Sequence, residues 1–304
     1  MIKGKIQTGL AALFGSIFIW ASTFVITKSL MDSIGPLTII GLRLLIALTI
    51  LLPISMRAGF QWSMLLKKHF FLFGLTGIAL YFGFANIGLK LSTSGNAALI
   101  QAANPAAIAL FSFLVLKEQI SRQRAGGIIL SIIGVLLVSG VPAKGGASTL
   151  IGNLLLLGSV IAWALYTVQG KKLPETISPL ISTTVSFLTG LIWLMPFIIL
   201  ELLFSGIPVI NPGSWASLAY LGIAASALAF FLWNFGLETV EASLAAPLIN
   251  LIPIIGLFFS FLAGEQIVFI QILGGLIAIT GVLITQGIHP FPKGTPRENP
   301  GSPN

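Results

Sequence analysis

The sequence predicts an all-α, polytopic membrane protein: ten transmembrane helices in two inverted five-helix repeats. Three observations predict it. Of 304 residues, 56% are hydrophobic and 8% charged, where a soluble domain carries about 25% charged residues. The apolar residues fall in runs of about 20, enough for a helix to cross a bilayer core of ~30 Å. The second half of the chain also repeats landmarks of the first at a nearly constant offset.

Charges and Gly/Pro breaks set the spans in order. The first, 7–27, follows the short basic stretch MIKGKIQ. No small-x-small cleavage site ends it, so it reads as a retained helix and not a signal peptide. The second, 36–56, lies between Gly35-Pro36 and Arg57, and the third, 70–90, between Lys67-Lys68 and Lys90. The fourth, 94–116, stops at Lys117, and the fifth, 123–140, stops at the linker VPAKGGAST. The sixth, 150–170, ends at Lys171-Lys172, and the seventh, 179–203, opens at Pro179. The eighth, 215–236, follows SGIPVINPG; the ninth, 242–263, lies between Glu241 and Glu265; the tenth is 267–287. The remainder, 288–304, is polar and Pro/Gly-rich, cannot bury enough apolar surface to fold, and reads as a disordered cytoplasmic tail.

Lys and Arg set the orientation. With the N-terminus inside, twelve of them fall on the inside (3, 5, 57, 67, 68, 117, 122, 124, 171, 172, 293 and 297) and three, Lys28, Lys90 and Lys144, outside. Both termini are therefore expected in the cytoplasm, with the chain multi-pass in the plasma membrane. The net charge of +8 is accounted for by these loops. No basic cluster interleaved with aromatics points to nucleic acid. Cys is absent, which excludes a disulfide framework and thiolate metal sites.

The repeat is read from GSIFIWASTF (15–24) beside GSVIAWALYT (158–167), an offset of 143 shared by Pro36 and Pro179. NIGLK (86–90) matches NFGLE (234–238) and Pro105 matches Pro253 at 148; KEQI (117–120) matches GEQI (264–267) at 147. The halves are 1–140 and 149–287. Each holds five spans, an odd number, so the second must enter the membrane from the opposite side. Many secondary transporters are built this way, with the substrate near midplane between the repeats.

Polar groups interrupt the oily runs. Ser16, Trp20, Thr23 and Thr27 share one narrow helical face, and Ser159, Trp163, Tyr166 and Gln169 repeat the spacing in the sixth span. Lipid offers such groups no partner, so they face either a wet cavity or a neighbouring helix. In the fourth span Asn96, Gln101 and Asn104 lie on one side, and Pro105 removes a backbone donor. Pro253, beside Asn250, is its counterpart; both prolines mark helix breaks that could expose backbone to a cavity or be absorbed as kinks. Tyr81 and Asn86 in the third span, with Trp233 and Asn234 in the eighth, complete a lining. The two asparagines fit equally as hydrogen bonds between helices.

Arg43 is the one full charge near mid-membrane, a position costing roughly 2.5–3.5 kcal/mol on insertion scales. It could meet a substrate carboxylate or phosphate, or satisfy carbonyls at a kinked neighbour. Its repeat counterpart is Ser186. Glu118 and Glu265, in the KEQI and GEQI turns, are placed to accept from free amides at the start of the next helix.

Several chemistries find no support. There is no G-x-x-x-x-G-K-[ST] loop for ATP, and no HExxH or GxSxG. His69 and His289 sit at a span edge and in the tail, so no metal, catalytic residue or cofactor is expected. No acid lies deep in a span: Asp32, Glu175, Glu201, Glu238 and Glu241 are loop or border residues. Coupling through a central carboxylate is therefore not expected.

Together Trp20-Ala-Ser-Thr-Phe24, Arg43, ALIQAANPAAIALFSFLVLKEQI and GVLLV, repeated as WALY, PLINLIPIIGLFFSFLAGEQI and GGLIAITGVLI, resemble the drug/metabolite transporter superfamily and its EamA-type permeases. The resemblance covers all but the tail. It implies a non-enzymatic carrier of small organic metabolites, often an exporter of amino acids or related compounds, working by alternating access. It maps cavity positions to Trp20, Tyr81, Asn104, Trp163 and Asn250. The related small multidrug exporters use a deep glutamate in the first helix, which this chain lacks. The partners expected are a small-molecule substrate and the bilayer; oligomeric state is not fixed. The rival readings are a nucleotide-sugar or sugar-phosphate carrier, which needs more than one cavity cation, and a non-transporting scaffold or enzyme with dry, packed stripe faces.

Overall fold

The apolar runs fold as helices, because a backbone without water must bond to itself. The computed structural model describes residues 2–117, 119–139, 147–170, 172–173, 177–240 and 246–286, less the side chains of 2–6, 139, 147–148, 234, 237–239 and 246–247. Among the described residues every element is helical. In chain order they are α1 (Ile2–Leu30), α2 (Pro36–Arg57), α3 (Lys68–Leu91), α4 (Ser94–Gln101), α5 (Asn104–Leu116) and α6 (Arg122–Ser139). There follow α7 (Ala147–Gly170), α8 (Pro179–Ser205), α9 (Pro212–Ala219, running on through Tyr220–Leu228 and Ala229–Thr239), α10 (Leu251–Leu262) and α11 (Phe269–Thr285).

Six of these, α1, α2, α3, α7, α8 and α9, are long and apolar enough to cross a membrane, and the bent pair α4–α5 makes a seventh. The chain is a multi-pass membrane protein. The remaining helices, α6, α10 and α11, have 18, 12 and 17 residues, and the expected count of ten rests on them. The α10 segment is short, with a 3-10 turn at Ala246–Asn250 before it. The 17 residues of α11 reach about 25 Å at 1.5 Å per residue. The expected tail, 288–304, and Glu118 lie outside the described residues.

The fourth span breaks in the turn before Pro105, at Ala102–Ala103, where the axes of α4 and α5 bend by 41°. Pro105 sits in the first turn of α5, where its missing N–H would have no intrahelical acceptor anyway. Pro253 occupies the first turn of α10 in the same way. Both α3 and α9 also contain a π-helical stretch, Leu75–Leu80 and Tyr220–Leu228. These occupy corresponding places in the two halves, and no residue pattern announced them.

The helices pack in antiparallel pairs across the two halves. On α2 and α8, Thr38 bonds Glu201, Gly41 faces Ile198, and Ser55 bonds Thr184. On α4 and α10, Gly95 faces Ser260 and Ala98 faces Gly256. On α6 and α11, backbones nearly touch: a Cβ at Gly134 would lie 2.5 Å from Gly274 O, and one at Gly127 2.6 Å from Gly281 O. Small residues permit this approach, which apolar association in lipid relies on. The helices carrying the two polar stripes exchange partners. α1 runs against α9, with Gly236 against Leu13, and α7 runs against α3, with Gly88 against Gly152.

Candidate functional site

The site is built where α1, α2, α3, α4 and α7 converge. A cavity of about 50 Å³ lies there, with Thr23, Thr27, Arg43, Tyr81, Asn86 and Gln101 on its polar side. Phe24, Phe82, Ala85, Leu89, Ala97 and Leu156 supply the apolar wall. That volume holds a few water molecules and is well below the ~300 Å³ at which ligand pockets typically start. The cavity is therefore narrow in this conformation.

Arg43 is anchored from one side. Its Nε–H donates to Ser226 Oγ at 2.7 Å, and Ser226 Oγ donates to Leu221 O at 2.9 Å, inside the π-helical stretch of α9. The guanidinium carbon sits 4.8 Å from the Phe82 ring centroid, a cation–π contact. Asn86 Nδ2 donates to Pro36 O at 3.1 Å, so this residue both lines the cavity and ties α3 to the start of α2. Gln101 donates to Ser159 Oγ at 2.8 Å and accepts from Asn104 Nδ2 at 2.6 Å. Asn104 Oδ1 is buried without a partner among the described residues.

Five predicted residues, Thr23, Arg43, Tyr81, Asn86 and Gln101, thus meet at the cavity, and Asn104 stands directly behind Gln101. The others are distributed differently. Trp20 leaves the face shared by Thr23 and Thr27: its indole donates to Ala225 O at 3.1 Å and packs on Phe230 and Trp233 of α9. Trp163 packs on Tyr81 at 4.8 Å and on Tyr166 at 5.1 Å, and Tyr166 stacks on Phe73 at 4.1 Å. Each half thus presses the indole of its first span against the third span of the other half. Gln169 accepts from Thr76 Oγ1 at 3.3 Å, and Asn250 donates to Gln286 at 3.2 Å.

Asn96, expected in the lining, is fully buried in a network with Ser92, Asn153 and Gln271 that joins α4, α7 and α11. Ser16 is also sealed, donating to Leu13 O of its own helix. A hydroxyl in a span can satisfy itself on the preceding turn, so the stripe pattern alone did not require a cavity. Pro105 and Pro253 shape the starts of α5 and α10 and do not line the cavity. The Asn234 side chain lies outside the described residues.

Sequence reading placed Glu265 as a cap on the following helix. It caps a different one: its carboxylate accepts from Ser94 N and Gly95 N, at the start of α4, at 2.8 and 2.9 Å. Glu201, taken for a border residue, accepts from Leu37 N, Thr38 N and the Thr38 hydroxyl at the start of α2. Lys28 donates to the carbonyls of Leu89, Lys90 and Ser92 at the end of α3. The signal for all three was present: helix ends leave unsatisfied amides and carbonyls, and the spans hold few charges to meet them.

The EamA-like transporter family matches residues 7–140 and 150–286. The chain belongs to this family. The family model thus matches the chain twice, in two consecutive segments. The chain is 29% identical over 296 residues to the "Uncharacterized transporter YyaM" of Bacillus subtilis, covering 94% of this chain and 96% of that one. It is 27% identical over 278 residues to a "Probable amino-acid metabolite efflux pump" of Salmonella typhimurium, covering 88% and 91%. A similarly named protein of Escherichia coli is 25% identical, covering 88% and 91%. One solved structure, titled "Crystal structure of protein", superposes at a TM-score of 0.62 with 19% identity, covering 91% of this chain and 96% of that one. At that identity the likeness is one of fold.

Proposed function

We propose that this EamA-family protein is a secondary transporter of small amphipathic organic metabolites, amino acids or related compounds, exporting them across the plasma membrane by alternating access without ATP. The observation that carries this reading is the cavity at Arg43. It sets hydroxyls, amides and one guanidinium against aromatic and aliphatic walls, deep inside a multi-pass helical protein. Such a lining grips the two ends of an amphipathic solute differently. Its present narrowness fits one state of a carrier that opens to each side in turn.

The reading includes ten crossings in two inverted five-helix repeats, 1–140 and 149–287, with both termini and the 288–304 tail cytoplasmic. Antiparallel contacts of α2 with α8, α4 with α10 and α6 with α11 support it. Parallel insertion of the halves would make those pairs parallel. Names of relatives as amino-acid metabolite efflux pumps support the cargo class. A nucleotide-sugar or sugar-phosphate cargo is disfavoured, because Arg43 is the single cation among the described residues that line the cavity and a phosphate ester carries a charge of about −1.5 to −2. A non-transporting scaffold or enzyme is the remaining alternative.

Counterflow in proteoliposomes tests the proposal. Vesicles preloaded with single amino acids and their keto, hydroxy and N-acyl relatives should show saturable uptake of the matching labelled compound. No saturable flux across that panel contradicts transport and favours the scaffold reading.

A further inference from the structure

We infer that the cavity selects a singly charged organic anion, a monocarboxylate with an apolar body, over zwitterions, phosphate esters and cations. The inference rests on the cavity of the proposed carrier being its substrate site, and it narrows the cargo class of that reading to the related compounds that carry a carboxylate and no ammonium, away from free amino acids. Three observations carry it.

The first is the state of Arg43. The guanidinium has five N–H donors in a fixed fork. Among the described residues it makes one hydrogen bond, through Nε to Ser226. The buried side-chain atoms left without a partner are Asn104 Oδ1 and Ser131 Oγ. The Nη groups are not among them, and Arg43 is one of the residues that line the cavity. Anchoring Nε on α9 and leaving the Nη end free presents a fork that a carboxylate matches with two parallel bonds.

The second is charge. Among the described residues the lining contains one cation and no acid. A monocarboxylate makes the loaded site neutral, which a low-dielectric interior favours. A zwitterion would bring an ammonium that finds hydroxyl and amide oxygens but no counter-charge. A phosphate ester would bring a charge of about −1.5 to −2 to a single guanidinium. Either leaves an uncompensated buried charge.

The third is asymmetry between the halves. At the position equivalent to Arg43 the second half has Ser186, whose hydroxyl donates to Thr183 O of its own helix at 2.9 Å. No second cation joins the site from there. The apolar wall of Phe24, Ala85, Leu89 and Leu156 then takes the uncharged end of the solute.

Four probes sharing an isobutyl group test this: 3-methylbutanoate, leucine, isopentyl phosphate and the neutral 3-methylbutanamide. Their binding to the full chain in lipid nanodiscs is measured by calorimetry at pH 7, beside the melting temperature. The acid should bind roughly tenfold or more tighter than leucine or the phosphate, the scale of one charge-assisted bond. Arg43→Gln should erase that advantage, weakening the acid far more than the amide. If Arg43→Gln does not fold, Arg43→Lys serves: keeping the charge without the fork, it should weaken the acid more than the amide. Leucine binding as tightly as the acid, an acid indifferent to Arg43, or no binding of the acid to the wild type overturns the inference. Saturable leucine counterflow with no preference for the acid would leave the transporter standing and remove this selectivity; acid binding without any flux would do the reverse.

Discussion

Glu265 Oε1 accepts a hydrogen bond from Ser94 N at 2.8 Å and from the Ser94 hydroxyl at 2.6 Å, while Oε2 takes Gly95 N at 2.9 Å. A carboxylate from the last turn of one half thus caps a short helix of the other half. Helix α4 has eight residues and leads straight into the cavity through Gln101, so its start fixes one wall. Hydrogen bonds to a charged group contribute about 1.5–3 kcal/mol. Glu265→Ala should therefore lower the melting temperature in detergent clearly, and Glu265→Gln, which keeps one oxygen acceptor, should lower it less. Equal melting of all three proteins would show that the cap does not hold α4.

Glu201 does the same at α2, and Gly35 makes room for it. A Cβ on Gly35 would lie within 2.8 Å of Glu201 Oε1. Gly35→Ala should displace the carboxylate from Leu37 and Thr38 and mimic Glu201→Ala. The two changes share one interaction, so the double variant should be destabilised by less than their sum. Additive losses would separate the glycine from the cap.

Gly134 and Gly281 let α6 and α11 touch backbone to backbone: a Cβ at Gly281 would sit 2.6 Å from Gly127 O. Enlarging a tight contact costs about 1–3 kcal/mol. Gly134→Leu and Gly281→Leu should each reduce thermal stability, whereas Gly126→Leu, where a Cβ would meet nothing within 4 Å, should not.

Trp20 and Trp163 separate packing from cargo contact. Trp20→Phe keeps the aromatic contact with Phe230 and Trp233 and loses the bond to Ala225 O, a loss of about 1 kcal/mol in stability. Trp163→Ala removes the support behind the cavity-lining Tyr81 and should depress counterflow more than Trp20→Phe at equal protein in the membrane. Flux reduced equally by both would remove that distinction.

The class of fold was legible because charge is so scarce that each Lys, Arg, Gly and Pro marks a boundary. Long apolar helices match their expected spans closely, as Pro36–Arg57 and Pro179–Ser205 do. The π-helical stretches were not legible: LTGIAL and YLGIAASAL are ordinary apolar helix sequence. Arg43 was picked out by its charge alone, yet its anchor Ser226 lies 183 residues away, a distance no local pattern spans. Thr23 and Asn96 show why the lining was only half right. A polar side chain in an oily run can bond its own helix, a neighbouring helix or water, and the sequence is the same in all three cases. Thr23 donates to Trp20 O and still borders the cavity; Asn96 spends its amide on Asn153 and Gln271 and does not.

Water access at the cavity wall tests the central claim most directly, and the absence of Cys from the chain makes it simple. Single variants Thr27→Cys and Ala85→Cys place a thiol on the wall, Phe18→Cys places one on a side chain 54% exposed on the outer, apolar surface, and Ser33→Cys places one in an exposed turn. A charged, membrane-impermeant maleimide applied to cells or vesicles should label positions 27, 85 and 33 and spare 18, and a bound substrate should slow labelling at 27 and 85 alone. Labelling at 33 with none at 27 or 85, from either side of the membrane, would mean that no hydrated passage exists there.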